Sequence, residues 1–285
     1  MPEIRIEPAG VDDVRTVQLR RGGDAAAVAL ALECAERGAA WTARDAGETI
    51  GLALAHRSND ERYVGELFVE PSYRGQGIGR QLFDAALADV GDEDVARRAL
   101  FAQGDRSSLA VGVRRGLAPG ATVVRVAGPI PREDGLLAMA AGDYRFQVDA
   151  IDPVAHAFAL DALDRETRGT TRRADHARFS RAASGLAFFS DGEFVAYAYV
   201  WPDGRIGPMA AVSGAYVVQI FAYALVASAR TFGASWCTTL IPGANLRLAR
   251  AVLRAGLRIE ETFTLAADAP APELSRYAGF HRFVF

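Results

Sequence analysis

Lysine is absent from the chain, and all 32 basic side chains are arginine. Alongside abundant alanine, that bias reads as the codon use of a GC-rich bacterial genome, so arginine content alone signals no recognition function. Cysteine is nearly absent too. Cys34 and Cys237 stand far apart, without C-x-x-C spacing or a neighbouring histidine, which excludes a disulfide framework and a zinc site. No metal is expected, and the redox setting is a reducing one. Neither sign of charge dominates. A net charge of -3 and a pI near 5.9 give no global attraction to nucleic acid or anionic lipid, so any anion site has to be built locally. The opening MPEIRIEPAG lacks an apolar stretch of signal-peptide length, and a cytoplasmic protein is expected. The longest apolar run, Val212 to Ala229, is interrupted by Gln219 and small polar residues. It is expected to be a buried helix and not a membrane span.

What is present is apolar residue enough, 50% of 285, for one large core or two of ordinary size. An internal repeat decides for two. Glu7 to Val14 matches Gln147 to Val154, Gly47 to Leu54 matches Gly192 to Tyr199, and Asp105 to Leu117 matches Asn245 to Leu257, at offsets of 140 to 145 residues. Two domains, 1–140 and 141–285, are therefore expected. In the first copy, alternation and helical periodicity predict strands at 4–8, 41–45, 48–56, 62–69, 98–102 and 121–127, with helices at 11–20, 24–37, 77–90 and 106–115. The second copy repeats the order, with strands near 144–149, 185–190, 193–201, 205–210, 235–240 and 258–265. Hairpin strands followed by alternating helix and strand indicate a mixed α/β sheet. Arg282 to Phe285 reads as a final core strand, and His176 as part of a polar turn.

The strongest local signal is Leu67-Phe68-Val69-Glu70-Pro71-Ser72-Tyr73-Arg74-Gly75-Gln76-Gly77-Ile78-Gly79-Arg80. A strand enters a proline-marked turn, and three alternate glycines open an amphipathic helix with Ile78, Leu82, Phe83, Ala86 and Leu87 on one face. Glycine lets successive backbone N–H groups converge, and a helix N-terminus adds partial positive charge. That combination suits a pyrophosphate, and Arg74 and Arg80 can add charge-assisted bonds. A dinucleotide fold would have G-x-G-x-x-G after a first parallel strand, and a nucleotide P-loop would need a lysine. Neither pattern fits.

These residues resemble the GNAT superfamily of acyl-CoA-dependent N-acyltransferases, since Arg74-Gly75-Gln76-Gly77-Ile78-Gly79 reproduces its common bacterial form R-G-x-G-I-G. Asp105 stands where the family often has Asn, and Gly116-Leu117 where it has Gly-Phe. The resemblance implies two tandem GNAT-like domains, each a mixed, mostly antiparallel sheet flanked by helices. It also implies that Arg74, Gly75, Gln76, Gly77, Ile78, Gly79 and Arg80 hold the pyrophosphate of acetyl-CoA or another acyl-CoA. Leu67, Phe68 and Val69 would splay from the neighbouring strand to pair with pantetheine, and Asp105 would lie nearby.

Two departures bear on mechanism. The tyrosine that many family members place seven residues after the Asn is Gly112 in the first copy and Val252 in the second. The second copy also has Val212-Ser213-Gly214-Ala215-Tyr216 where the glycine loop should be, which implies a structural or acceptor-site role. Tyr63 and Glu66, on the strand before the loop, are the candidate catalytic groups. Strand alternation puts them on opposite faces unless a bulge intervenes, and His56 could face the same cleft. The expectation is an N-acyltransferase, acetyl-CoA-dependent, acting on a small-molecule or peptide amine, with a homodimer left open. The alternatives are a non-catalytic acyl-CoA sensor and an enzyme that transfers a longer or acidic acyl group.

Overall fold

The computed structural model describes residues 4–22, 25–36, 39–58, 60–88, 95–142, 144–269 and 273–285. The strands and helices in chain order are β1 (Arg5–Pro8), α1 (Val11–Arg20), α2 (Ala25–Glu36), β2 (Ala40–Asp45), β3 (Glu48–Arg57), β4 (Glu61–Val69), α3 (Ile78–Leu87), β5 (Ala96–Ala102), α4 (Arg106–Arg114) and β6 (Ala118–Pro129). There follow α5 (Glu133–Ala140), β7 (Gln147–Ala150), α6 (Ala157–Arg168), α7 (Arg173–Ala182), β8 (Ser184–Ser190), β9 (Glu193–Val200) and β10 (Ile206–Ala211). The last are α8 (Val217–Phe232), β11 (Trp236–Pro242), α9 (Leu246–Arg254), β12 (Arg258–Ala267) and β13 (Tyr277–Ala278). The fold is mixed α/β with mostly antiparallel sheets flanked by helices, as expected.

The chain forms two compact units. The first comprises Met1–Gly120 together with Thr264–Ala269 and Arg282–Val284, and the second comprises Ala121–Phe263, Pro270–His281 and Phe285. The division falls at Gly120, before the expected 140, because Val123 to Pro129 of β6 are hydrogen-bonded to β11 and Met139 of α5 packs in the second core with Ile220 and Phe221 of α8.

In the first unit, β1 to β4 run antiparallel in sequence order and β5 joins β4 in parallel. Asp268 extends this edge by bonding Arg97 through backbone and side chain. The apolar face of α3 (Ile78, Leu82, Phe83, Ala86) packs on Ala53, Ala55, Val64, Ala99 and Phe101, so the helix that starts at the glycine loop is fixed by its own periodicity. In the second unit β8, β9 and β10 repeat the β2–β3–β4 meander, and β7 and β13 complete a five-stranded sheet. The expected apolar helix at 212–229 is α8, shifted to Val217–Phe232. Val217, Ile220, Phe221, Ala224 and Leu225 are fully buried, and among the described residues no helix is long and apolar enough to cross a membrane.

The segment matched to β1 and α1 runs from strand through turn to helix: the Asp152 carboxylate accepts the N–H groups of Val154 (2.8 Å) and Ala155 (3.0 Å) in the turn, and α6 begins at Ala157. Two expectations are corrected. Arg282 to Phe285 is turn and isolated bridge, although Phe283, Val284 and Phe285 are buried. His176 lies on α7 within a buried polar network. Its ring nitrogens meet the Asp164 carboxylate at 2.9 Å and the Tyr199 hydroxyl at 3.0 Å. Tyr197 bonds the same carboxylate, and Arg172 donates to the Tyr277 hydroxyl at 2.7 Å. Burial pushes the Asp164 carboxyl up, but Arg172 and His176 outweigh it and leave its pKa below the ordinary value. Burial and the Asp164 charge together drive the Tyr197 pKa well upward.

Candidate functional site

The register between β3 and β4 pairs Tyr63 with His56, Val64 with Ala55, Glu66 with Leu54 and Leu67 with Ala53, leaving Gly65 as an extra residue. Cross-strand partners share a face. The bulge therefore brings Tyr63 and Glu66 to one side of the sheet, while Val64, Leu67 and Val69 join the core under α3. Glycine is required at the bulge by contact, since a Cβ there would lie 2.6 Å from the Arg282 carbonyl oxygen and the Phe283 Cα. Beyond the bulge β4 leaves its neighbour: parallel pairing with β5 runs from Glu61/Ala96 to Val64/Ala99, while β4 continues to Val69 and β5 to Ala102.

That divergence opens a cleft of about 1150 Å³, slightly above the upper end of the roughly 300–1,000 Å³ usual for small-molecule sites. Leu67, Phe68 and Val69 line it from β4, and Tyr73, Arg74, Gly75, Gly77, Ile78, Gly79 and Arg80 from the loop. A turn of 3-10 helix over Pro71–Tyr73 leads into that loop, held by the Tyr73 hydroxyl on the Asp45 carboxylate at 2.9 Å. Arg74 folds back so that its Nε donates to the Val69 carbonyl at 3.0 Å. Gly75 and Gly77 have φ of 81° and 82°, with open space where a Cβ would stand, so conformation and not crowding demands glycine there. Gly77 is the N-cap of α3, and no side chain caps it. Gln81 donates to the Gly77 carbonyl at 3.1 Å, so α3 presents its first-turn N–H groups and the positive end of its dipole to the cleft.

A second helix start faces the same space. Asp105 caps α4 by accepting from the Ser108 N–H at 3.0 Å, and Asp105, Arg106, Ser107, Ser108 and Arg114 all line the cleft. The equivalent Asn245 caps α9 in the same way, at 3.2 Å. Gly112, in the place of the family's tyrosine, is filled by Phe101, whose ring would lie 2.8 Å from a Cβ.

Of the residues singled out in the sequence, Gln76 is exposed and does not line the cleft, and neither do Tyr63, Glu66 or His56. Tyr63 is buried and donates its hydroxyl proton to the Arg282 carbonyl at 2.6 Å. Glu66 is buried too; it accepts from Gln18 at 2.6 Å, pairs with Arg21, and lies 3.5 Å from Arg282. Sequence reasoning missed Arg21, which lines the cleft with its guanidinium 4.8 Å above the Phe68 ring. Burial, with repulsion from Arg282, lowers its pKa to about 10. Among the described residues no group of His, Cys, Asp or Glu could hold a metal.

Among the described residues of the second unit, the corresponding wedge is filled. β10 meets β11 at the parallel bridge Arg205–Thr238, as β4 meets β5, but β13 then pairs with β10 and Gly279 bridges Leu240 of β11. Arg276 bonds the Ala211 and Val212 carbonyls at the end of β10. The chain itself thus occupies the wedge that is open in the first unit.

Comparison with known proteins agrees with this geometry. Residues 36–107 match the model of the acetyltransferase (GNAT) domain, a span that includes β2, β3, β4, the loop and α3. Over nearly the whole chain the fold resembles a putative acetyltransferase from Pyrococcus horikoshii, with a TM-score of 0.72, 17% identity, and coverage of 99% of this chain and 96% of that one. A GCN5-related N-acetyltransferase from Sphaerobacter thermophilus gives a TM-score of 0.62 at 15% identity, covering 96% of this chain and 98% of that one. A tandem GNAT protein from the clavulanic acid biosynthesis pathway gives 0.62 at 17% identity, covering 94% and 99%. The likeness to the GNAT acetyltransferase domain therefore covers residues 36–107, and the fold is shared with a tandem GNAT protein.

Proposed function

We propose that the protein is an N-acyltransferase that takes acetyl-CoA into the cleft of the first unit and transfers its acyl group to the amine of a small molecule or peptide. The observation that carries this reading is the uncapped start of α3, with Gly75 and Gly77 in the left-handed region, opening into the cleft beside the end of β4 that has parted from β5. The amides of that turn, with Arg74 and Arg80, hold the pyrophosphate. The backbone of Leu67 to Val69 pairs with pantetheine, which directs the thioester toward the bulge at Gly65.

Chemistry then rests on positioning. A neutral amine held against the thioester carbonyl attacks it, the tetrahedral intermediate expels the CoA thiolate, and the ammonium proton passes to water. Glu66 and Tyr63 are engaged in ion pairs and hydrogen bonds that shape the bulge, so their role is to hold the site and not to move the proton. The second unit, its wedge closed by β13, serves as a structural partner.

Calorimetric titration with acetyl-CoA, followed by thiol release in the presence of a panel of amines, tests the reading. Binding with amine-dependent thiol release is expected. Binding without release under any amine would instead make the protein an acyl-CoA sensor.

A further inference from the structure

The arginines that line the cleft come from three places. Arg74 and Arg80 flank the glycine loop, and Arg106 and Arg114 belong to α4. Arg21 reaches the cleft from the C-terminal end of α1. It pairs with Glu66, three residues upstream of Val69, which at about 3.3 Å per strand residue is about 10 Å from the end of β4.

Arg21 is also fixed in orientation. The buried Glu66 carboxylate holds the guanidinium, the Phe68 ring lies against its face at 4.8 Å, and Glu66 is itself steadied by Gln18 at 2.6 Å. The side chain nevertheless keeps 33% of its surface exposed, on the side that lines the cleft. A planar, pre-oriented fork that remains partly exposed in the cleft is suited to a second carboxylate. Its lowered pKa, near 10, comes from burial first and from the Arg282 guanidinium, against which the Asp105 carboxylate acts and to which Arg74 adds a smaller repulsion.

We propose that Arg21 recognises a carboxylate on the substrate, located beyond the thioester and carried either by the amine acceptor or by the acyl group. This rests on the acyl-CoA reading above and names the substrate class within it.

Calorimetry on the full chain distinguishes the sources. In one arm the CoA-saturated protein is titrated with glycine and 4-aminobutyrate against their amides; in the other, the free protein is titrated with succinyl-CoA against butyryl-CoA. The carboxylate form is expected to bind about tenfold tighter in one arm, as a charge-assisted pair warrants, and the arm that responds names the carrier. Arg21→Gln is expected to bring the two forms within about twofold while CoA affinity stays the same. Arg21→Lys, which keeps the charge beside Glu66 but loses the fork, is expected to lose most of the preference and serves if the glutamine variant does not fold. Equal binding of acid and neutral forms in both arms, no binding of either beyond CoA itself, or a preference that survives both variants would overturn the proposal. Failure of the wild-type chain to bind CoA would overturn the acyl-CoA reading instead.

Discussion

At the scale of single residues, the glycine loop does two different things. Gly75 and Gly77 are needed for their positive φ, whereas Gly79 lies within α3 and would place a Cβ in ordinary contact with Val69, at 3.6 Å. Gly79→Ala is therefore expected to leave thermal stability unchanged or raise it by about 0.5 kcal/mol, as removal of an unneeded helical glycine does. Gly77→Asp costs at most about 1–2 kcal/mol, because aspartate tolerates the left-handed region better than most residues. Arg74→Gln removes a charge-assisted contact and should weaken CoA about tenfold to a hundredfold, with thermal denaturation unchanged; equal affinity would remove Arg74 from the phosphate site. The loop was legible in the sequence because its chemistry is local. Arg21 was not, since its meaning depends on Glu66 and Phe68, far along the chain, and arginine is everywhere in this composition. The face of Glu66 hinged in the same way on a bulge at Gly65, and that glycine answers to a contact from Arg282 and Phe283.

At the scale of elements, α6 and α7 are where sequence reading failed. Asp164, Arg168, Arg172, Asp175 and His176 are charged or polar yet buried, so the usual rule that polar faces are wet points the wrong way. Asp164, Arg172 and His176 instead form a network with Tyr197, Tyr199 and Tyr277 on the β9 and β13 side, while Arg168 bonds Thr170 and the Phe285 carbonyl and Asp175 pairs with Arg178. Asp164→Asn leaves Arg172 and His176 without their common anion and should cost about 3–5 kcal/mol in urea unfolding. The pH dependence follows from the depressed Asp164 pKa. Its stabilising contribution is fully present above the unfolded carboxyl value of about 3.9 and is lost as pH falls through the lower folded value. Wild type should therefore lose stability more steeply than Asp164→Asn as acid is added below about pH 4; parallel profiles would show that the carboxylate does not carry the network. Cys237 is buried within β11, and burial pushes its thiol up to about 12, so it should resist alkylation in the native protein at pH 8.

At the scale of the whole molecule, the repeat was legible from three collinear matches, and nearly every strand of both copies lies where periodicity put it. The exchange of chain between the units was not. Thr264–Ala269 and Arg282–Val284 belong to the first unit, and nothing local marks them as such. A fragment ending at residue 140 lacks both segments as well as the β11 partner of β6, and is expected to be insoluble, with unpaired strand edges and apolar surface exposed. A soluble fragment that binds CoA would show that these segments are dispensable. The two copies also differ in the one feature that matters for binding: the wedge after β4 is open, and the wedge after β10 is filled by Tyr277 to Gly279. Titration of the full chain and of Gly77→Asp with CoA tests the account most directly. One site per chain, lost by more than about a hundredfold in a variant that remains folded, is the predicted result; two equivalent sites, or unchanged affinity in the folded variant, would contradict it.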